Sequence, residues 1–592
     1  MSNFILGVNA FHGDASACIL RDGVLIAAAE EERFCRIKHW AGFPVEAVKY
    51  CLEEAGIGIS EVHHIALNRN PTANLLKKAL FAFAKRPSLG AVTDRLRNAE
   101  KLKGVIEYLA NGLGVSPNLI QGQVHHIEHH LAHLGSSFFV SPFQQAAIIS
   151  VDGFGDFVST MWGIGNGSNI TTKEKVHFPH SLGLFYLAIT QHLGFLHYGD
   201  EYKVMGLAPY GQSTELDKMR KIVRLLPNGS FELNLDYFQH HTEGVSMVWE
   251  GGEPRTGCVY TEELLNLLGP ARSKEEPMTE RHWNIAASAQ SMYEEAFFHL
   301  LGYVAEATGE TRLALAGGCA MNSVANGKIF ERSPFKEVYI QSAAGDAGGC
   351  IGAAYVVWHH KLKHPRNFQM GHSYWGPSFS SDLISSLLQE KAADLMTAGC
   401  VIESIDNEAE LCRRTAVAIS EGKVIGWFQG RMEWGPRALG NRSILGDPRR
   451  KDMKDILNLK IKRRESFRPF APSILREYVK DWFETDYEVP FMLQVFQIRE
   501  ERQAEIPAVT HVNGSGRLQS VSEIHNPRYY HLIQSFKALT GVPILLNTSF
   551  NENEPVVCRP HEALSCFLRT KMDVLVLGDY MIERHEAIFP AE

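Results

Sequence analysis

The sequence lacks the features that mark membrane-spanning, disulfide-stabilised or nucleic-acid-coating proteins. None of its apolar runs approaches the roughly 20 residues that a membrane-spanning helix needs, and the start MSNFILGVNAFHGD has no basic segment before its first apolar stretch. The ten cysteines show no CxxC pair and no regular spacing, which is typical of reduced thiols. A formal net charge of −8 argues against broad nucleic-acid binding. We therefore expect a cytoplasmic protein that binds neither membrane nor nucleic acid.

Length and composition indicate a large globular protein with more than one domain. The chain has 592 residues, of which 45% are hydrophobic and 21% are charged. This composition supplies enough apolar surface for sizeable cores, and the length favours two or more domains. A polar, apolar-poor stretch at 359–372 separates two patterns. We predict one domain at 1–365 and another at 372–592.

Two similar stretches predict an internal duplication in the first domain. Residues 1–40 predict a strand, a turn at His12-Gly13-Asp14, a second strand, another turn and a third strand. Residues 144–170 repeat this arrangement around the acidic glycine turn DGFGD. The pair resembles the phosphate-gripping hairpins of the actin, Hsp70 and sugar-kinase ATPase fold. Two unrelated β-hairpins are the alternative, because short Gly and Asp turns are common.

A histidine pair just before the second turn predicts a metal site. His129 and His133 are four residues apart, so on a helix both imidazoles project from one face. Asp152 ends the strand that follows, and Asp346 stands isolated among small residues in a later strand-glycine-helix unit. Imidazole and carboxylate ligands favour a divalent transition metal over magnesium. Solvated or capping histidines are the alternative.

Glycines and cations predict anion-binding sites in both halves of the chain. A strand that ends in Gly317-Gly318 and enters a helix lets backbone amides approach a nucleotide, and Lys203 precedes another glycine-containing loop. Basic residues alternate with Gly and Pro over 424–475, where guanidinium groups from several loops suit a small dianion such as phosphate. A solvated basic surface and an RNA-binding surface are the alternatives, and the acidic remainder disfavours RNA. The basic residues of this stretch include Arg437, Arg442, Arg449, Lys460, Lys462 and Arg468.

Long motifs along nearly the whole chain resemble those of the NodU/CmcH-type carbamoyltransferase family. The N-terminal motifs are EEERFCRIKHW (30–40), EHHLAH (128–133), VDGFGD (151–156), EYKVMGLAPYG (201–211), GGCAMNS (317–323) and SAAGDAGG (342–349). The C-terminal motifs are EWGPRALGNRSILGDPR (433–449), RESFRPFAPS (464–473) and LLNTSFN (545–551). The C-terminal set is long enough to make coincidence improbable.

The resemblance implies an α/β fold and a chemistry divided between two sites. It implies an N-terminal ATPase-fold domain, related to the enzyme that makes threonylcarbamoyladenosine in tRNA, and a C-terminal YrdC-like α/β domain. In such enzymes the C-terminal domain hydrolyses carbamoyl phosphate to carbamate, which passes internally to the N-terminal site. Carbamate and ATP then give carbamoyl adenylate and pyrophosphate, and the carbamoyl group is transferred to a hydroxyl of a small natural product. The implied cofactors are ATP, with accompanying Mg²⁺, and iron(II).

The resemblance also implies roles for individual residues. The residues matching the iron(II) site are His129, His133, Asp152 and Asp346. Those matching the carbamoyl phosphate pocket are Arg437, Lys462, Arg468, Asn547 and Ser549. Those on the adenylate side are Lys38, Lys203, Gly317, Gly318 and Asn322. His12 or Asp14 would act as the base toward the acceptor hydroxyl, although here Gly13 separates a His and an Asp that are adjacent in most of the family.

Two other functions are compatible with parts of the sequence. A tRNA threonylcarbamoylation enzyme would need a basic RNA-facing surface, which the net charge disfavours. A nucleotide-dependent binding or chaperone module, or a sugar kinase, leaves Arg437, Lys462 and Arg468 without a role. The sequence leaves open the acceptor, the position carbamoylated, the native metal and the oligomeric state, a homodimer included.

Overall fold

The computed structural model describes residues 2–85, 104–245, 247–248, 254–462, 467 and 469–585. The chain divides into two units, residues 1–370 and 371–592, and the division falls inside the polar stretch 359–372. Within the described ranges, no helix combines the length and apolarity needed to cross a membrane.

The first unit contains fourteen strands among its described residues. They are β1 Phe4–Asn9, β2 Ser16–Arg21, β3 Val24–Glu30, β4 His64–Leu67, β5 Gln123–His126, β6 Gln145–Gly155, β7 Val158–Asn166, β8 Asn169–His177, β9 Val223–Leu225, β10 Phe231–Leu233, β11 Met247–Val248, β12 Arg255–Thr256, β13 Arg312–Ala316 and β14 Glu337–Ile340. Its α-helices are Glu32–Cys35, Val45–Ala55, Leu75–Lys85, Val105–Leu113, His129–Phe138, Leu182–His192, Glu201–Leu207, Leu216–Ile222, His240–Glu243, Glu262–Leu268, Glu280–Thr308, Ser323–Gly327, Ile329–Arg332 and Gly349–Val356.

Two five-stranded sheets of this unit have the same topology. In the first, the order is β3-β2-β1-β4-β5; β1, β2 and β3 form an antiparallel meander, and β4 and β5 run parallel to β1. In the second, the order is β8-β7-β6-β13-β14, with the same meander and the same two parallel strands. The predicted duplication and the α/β ATPase-type fold are therefore confirmed, with β1 to β3 and β6 to β8 as the two hairpin sets.

Small residues let two helices of the first unit approach closely. The helices His129–Phe138 and Gly349–Val356 pack together, and a Cβ atom on Gly352 would lie 1.7 Å from the carbonyl oxygen of Ala132. Only glycine fits at such a distance. The contact sets the helix that carries His129 and His133 against the helix that begins just after Asp346.

The second unit is built on one nine-stranded mixed sheet. Its strands are β15 Cys400–Ser404, β16 Ile425–Phe428, β17 Arg442–Gly446, β18 Ala471–Leu475, β19 Gln494–Gln497, β20 Ser515–Val521, β21 Ile544–Ser549, β22 Val574–Leu577 and β23 Tyr580–Arg584. Its α-helices are Ser381–Glu390, Ala392–Thr397, Glu408–Ser420, Met453–Leu457, Val479–Trp482, Glu500–Gln503, Pro527–Thr540 and Pro560–Arg569. The sheet order is β15-β23-β22-β16-β17-β21-β18-β20-β19. The central strands β16, β17, β18 and β22 are fully buried, so they hold the loops at their ends rigidly.

Candidate functional site

Two histidines on one helix face form the first half of a four-residue cluster. The helix begins at His129, where Glu128 caps it by accepting the Leu131 N–H at 2.7 Å. Four-residue spacing brings His129 Nε2 within 3.0 Å of His133 Nε2. The His129 ring fits because residue 155 is glycine, whose added Cβ would lie 2.0 Å from His129 Cδ2.

Two aspartates complete the cluster. Asp152 Oδ2 lies 3.0 Å from His129 Nε2 and 3.3 Å from His133 Nε2, and its Oδ1 accepts the Gly318 N–H at 2.8 Å. Asp346 Oδ1 lies 3.5 Å from both imidazole Nε2 atoms. One ligand atom from each of the four residues lies within 4.8 Å of the others. The four residues that the family resemblance implies for a metal site therefore lie together.

The electrostatics of the cluster suit a bound cation. Burial lowers the pKa of His133, but the Asp152 and Asp346 carboxylates outweigh it and raise that pKa to about 9. Burial opposes ionisation of Asp152, but His129 and His133 hold its pKa well below the usual range. The chemistry of this N₂O₂ donor set, in which His129, His133 and Asp152 are buried, fits a divalent transition metal.

The two residues predicted as alternative bases have different partners. His12 Nδ1 lies 2.7 Å from Asp346 Oδ2, so this ring contacts the cluster directly. Its Nε2 is buried and has no hydrogen-bond partner among the described residues. Asp14 Oδ1 instead pairs with His39 Nδ1 at 2.7 Å. Gly13, between them, makes room for the Tyr198 ring, whose hydroxyl oxygen would lie 2.4 Å from an added Cβ.

Residues predicted on the adenylate side line the end of β13. Gly317 has a φ of 93°, and a Cβ there would lie 2.2 Å from the Val151 carbonyl oxygen, so this turn requires glycine. Gly318 donates its N–H to Asp152, which ties the turn to the cluster. Asn322 caps the next helix by accepting the Ala325 N–H at 3.1 Å. Its side-chain amide also exchanges two hydrogen bonds, of 3.0 and 3.1 Å, with Gln290, a residue that the sequence analysis missed.

The two predicted lysines differ in their surroundings. Lys203 Nζ pairs with Asp200 at 2.8 Å and lies 5.2 Å from the centre of the Phe195 ring. Lys38 makes no hydrogen bond or ion pair with the described part of the chain. Its neighbour His39 carries a raised pKa: burial lowers it, but Asp14 raises it to about 9.

Polar side chains of the second unit converge where β21 ends. Lys462 is buried, and its Nζ donates to the Ser549 carbonyl at 2.6 Å and to Asn551 Oδ1 at 2.7 Å. Asn547 Nδ2 donates to the Ala438 carbonyl at 3.1 Å and to Gln519 Oε1 at 3.0 Å. Asn547 Oδ1 is buried and has no partner among the described residues. The arrangement offers an ammonium, a hydroxyl and an amide at one strand end.

A buried glutamate organises the loop that carries Arg437. Glu433 Oε1 accepts the N–H groups of Leu439, Asn441 and Arg442 at 2.8, 2.8 and 3.1 Å. The loop therefore closes around one carboxylate oxygen, and Arg437 lies inside it. The sequence analysis did not single out Glu433, whose only signal is its place at the start of the motif EWGPRALGNR.

Other basic residues of this stretch have partners elsewhere in the second unit. Arg442 is fully buried and donates to backbone carbonyls, including those of Gln429 at a short distance and Pro377 at 3.0 Å. Arg449 pairs with Asp447, and Lys460 pairs with Asp573, each at 2.7 Å. Arg468 lies outside the described residues. Arg437, Lys462, Asn547 and Ser549 remain as the described members of the predicted pocket.

Two family models match the chain. The model described as Carbamoyltransferase N-terminus matches residues 4–355, and the model described as Carbamoyltransferase C-terminus matches residues 416–584. All the site residues described above fall within these two ranges.

Curated relatives match over long stretches as well. An uncharacterized protein of Synechocystis sp. is 41% identical, over 98% of this chain and 96% of its own length. Nodulation protein NolNO of Sinorhizobium fredii is 38% identical, over 98% of this chain and 80% of its own length. The 3'-hydroxymethylcephem-O-carbamoyltransferase of Amycolatopsis lactamdurans is 31% identical, over 50% of this chain and 54% of its own length.

Proposed function

Because the chain belongs to the carbamoyltransferase family, we propose that it uses carbamoyl phosphate and ATP to carbamoylate a hydroxyl group of a small natural product. Water first cleaves carbamoyl phosphate to carbamate and phosphate. A carbamate oxygen then attacks the α-phosphorus of ATP and expels pyrophosphate, which gives carbamoyl adenylate. The acceptor oxygen attacks the carbamoyl carbon, AMP leaves, and the hydroxyl proton passes to a base.

The observation that carries the proposal is the presence of two polar sites of different chemistry. The first unit has a buried histidine and aspartate cluster beside the glycine turn of β13. The second unit has Lys462, Ser549 and Asn547 at the end of β21, next to the loop that carries Arg437. A single-site kinase or chaperone needs only the first of these sites.

In the second unit we assign the binding of carbamoyl phosphate to cations and amide groups. Arg437 and Lys462 would neutralise the phosphate dianion, since cationic donors form short, strong hydrogen bonds with phosphate oxygens. The unpartnered Asn547 Oδ1 is a hydrogen-bond acceptor, so it suits the N–H groups of the carbamoyl end. Glu433 would act indirectly, by holding the Arg437 loop.

In the first unit His129, His133, Asp152 and Asp346 would hold the metal, which we propose to be iron(II). When bound, such an ion offsets negative charge on phosphate oxygens during adenylation. Gly317 and Gly318 let the backbone approach the nucleotide, and Lys38 offers a cation to its phosphates. Mg²⁺ would accompany ATP.

We assign the base toward the acceptor hydroxyl to His12. With Nδ1 donating to Asp346, Nε2 keeps the lone pair that accepts a proton. Burial lowers the pKa of His12, although Asp346 opposes this shift. The lowered pKa favours the neutral ring, which is the form that can accept a proton. Asp14 fits this role less well because its Oδ1 is already bonded to His39.

Product analysis by mass spectrometry tests the proposal. The purified protein is incubated with ATP, carbamoyl phosphate and iron(II), first without an acceptor. We expect carbamoyl adenylate, or AMP and pyrophosphate, only when carbamoyl phosphate is present. ADP and phosphate formed regardless of carbamoyl phosphate would contradict the proposal and indicate a kinase or ATPase.

A further inference from the structure

Hydrogen bonds of residues 68–70 hold the Arg69 backbone close to the histidine and aspartate cluster of the first unit. It follows β4, and its carbonyl oxygen lies 3.3 Å from His126 Nδ1. The preceding Asn68 contacts the Asp346 carbonyl at 3.5 Å, and the following Asn70 donates its N–H to Asp156 at 2.8 Å. The segment 68–70 is therefore attached to the loop that carries Asp346 and to the glycine turn that ends at Asp156.

The Arg69 side chain does not share these attachments. It is half-buried, and its guanidinium makes no hydrogen bond or ion pair with any residue that the structure describes. Other partly buried arginines of the unit are satisfied by carbonyl oxygens: Arg272 by Leu193 and Arg281 by Leu268. A guanidinium in this position can therefore donate hydrogen bonds to an anionic ligand.

Arg69 lies at the same end of the first sheet as the ring that we assign as the base. His12 follows β1 and Arg69 follows β4, which are parallel neighbours that pair Val8 with Leu67 near their carboxyl ends. Asp346 contacts both places, since it holds His12 Nδ1 through its carboxylate and Asn68 through its carbonyl oxygen. His12 also keeps its buried Nε2 without a partner among the described residues. A cation and a ring nitrogen are thus both left for a ligand at the carboxyl end of the first sheet.

We propose that Arg69 binds a phosphate oxygen of the nucleotide beside His12. A guanidinium presents two parallel N–H groups and so matches a phosphate or carboxylate oxyanion. Nucleotide phosphate is favoured over carbamate because Arg69 is attached through Asn70 to the glycine turn at Asp156, one of the two turns predicted to grip phosphates. The inference deepens the proposed function and rests on it for the identity of the ligand.

Titration calorimetry with three probes tests this assignment. ATP, inorganic pyrophosphate and adenosine are titrated into the wild-type protein and the Arg69→Gln variant. We expect the Kd for pyrophosphate and ATP to rise about 10- to 100-fold, the range of one charge-assisted hydrogen bond, with adenosine binding unchanged. Arg312→Gln is the matched control, because Arg312 pairs with Glu337 at the opposite, amino-terminal end of β13. It should bind all three probes like the wild type.

Thermal unfolding separates ligand binding from a structural role. Arg69→Gln removes an unpartnered charge, so its Tm without ligand should equal or exceed that of the wild type. A lower Tm, or unchanged pyrophosphate affinity in the variant, would overturn the proposal. Arg69→Lys keeps the positive charge but lacks the two parallel N–H groups of the guanidinium. We expect this variant to recover part of the affinity for pyrophosphate.

Measuring product formation as well as binding distinguishes failure of the anion site from failure of the proposed reaction. The protein could bind pyrophosphate through Arg69 and yet form no AMP from ATP and carbamoyl phosphate. That result would support the anion site and refute the proposed reaction. Carbamoyl adenylate formation in Arg69→Gln at the wild-type rate and with the wild-type KM for ATP would support the proposed reaction and refute the anion site.

Discussion

His129 Nε2 lies 3.0 Å from His133 Nε2, and both rings are fully buried. Two inward-facing ring nitrogens at this distance either share one proton or bind one cation. Asp152 lies within 3.3 Å of both nitrogens, so the buried donor set has the charge and geometry for a divalent ion. The proposed division of labour between the two units depends on this pair.

Removing one histidine should separate the two half-reactions. We expect His129→Ala to lose its metal, measured by elemental analysis, because one of the four ligands is removed. Carbamoyl adenylate formation should fall at least about 100-fold. Carbamoyl phosphate hydrolysis should stay within about twofold. The control is His561→Ala, an exposed histidine in the second unit. Loss of both activities in His129→Ala would argue against separate sites.

Arg437 should have the opposite profile. We expect Arg437→Ala to lower carbamoyl phosphate hydrolysis at least about 100-fold, because a phosphate dianion loses a charge-assisted contact. ATP binding, followed by calorimetry, should remain. Arg413→Ala serves as control, since Arg413 is 57% exposed and, among the described residues, pairs only with Glu410 on its own helix. Wild-type turnover of carbamoyl phosphate in Arg437→Ala would refute the pocket assignment.

Glu433 should determine the stability of the Arg437 loop. Glu433→Ala leaves three buried N–H groups without their acceptor, which should cost about 3 kcal/mol and lower the thermal midpoint by roughly 6–12 °C. Glu433→Gln keeps an acceptor oxygen and should recover most of this loss. Glu421→Ala, at a position 56% exposed, should change stability by less than about 0.5 kcal/mol. Equal stability of the Ala and Gln variants would contradict the role of Oε1.

The His39 and Asp14 pair should give a pH-dependent contribution to stability. Burial lowers the pKa of His39, but Asp14 raises it to about 9, above the ordinary value of 6.5. The contribution is therefore complete below about pH 6.5 and is lost as the pH rises through about 9. We expect His39→Gln to be destabilised by about 1 kcal/mol at pH 6 and to match the wild type near pH 10, by urea unfolding. A difference that grows with pH would contradict this sign.

Gly352 should control the spacing of the two central helices. Gly352→Ala places a Cβ 1.7 Å from the Ala132 carbonyl oxygen, so the helices must separate, and we expect a loss above about 3 kcal/mol together with weaker metal binding. Gly302→Ala is the matched control on the helix Glu280–Thr308, where an added Cβ meets nothing within 4 Å. That change should stabilise by up to about 1 kcal/mol. Similar effects of the two changes would refute the packing argument.

The sequence by itself determined the features that depend on local order. The two strand-turn-strand units follow from periodicity and from glycine and aspartate turns. The four-residue spacing of His129 and His133 places both rings on one face before any tertiary contact exists. Long motifs also assigned the family, because many residues of specified type and order rarely match by coincidence.

Only the tertiary structure decided which distant residues meet. Asp346 reaches His12 and the histidine pair because parallel strands end at one edge of each sheet and because Gly352 lets two helices touch. Tertiary contacts also decide the role of Arg442, which donates to the backbone carbonyl of Pro377, although its glycine-rich loop predicted an anion-binding site. Arg69 lies in none of the quoted motifs, and Glu433 only begins one of them. Their importance depends on which charges and N–H groups the fold places beside them, and local sequence does not encode those long-range neighbours.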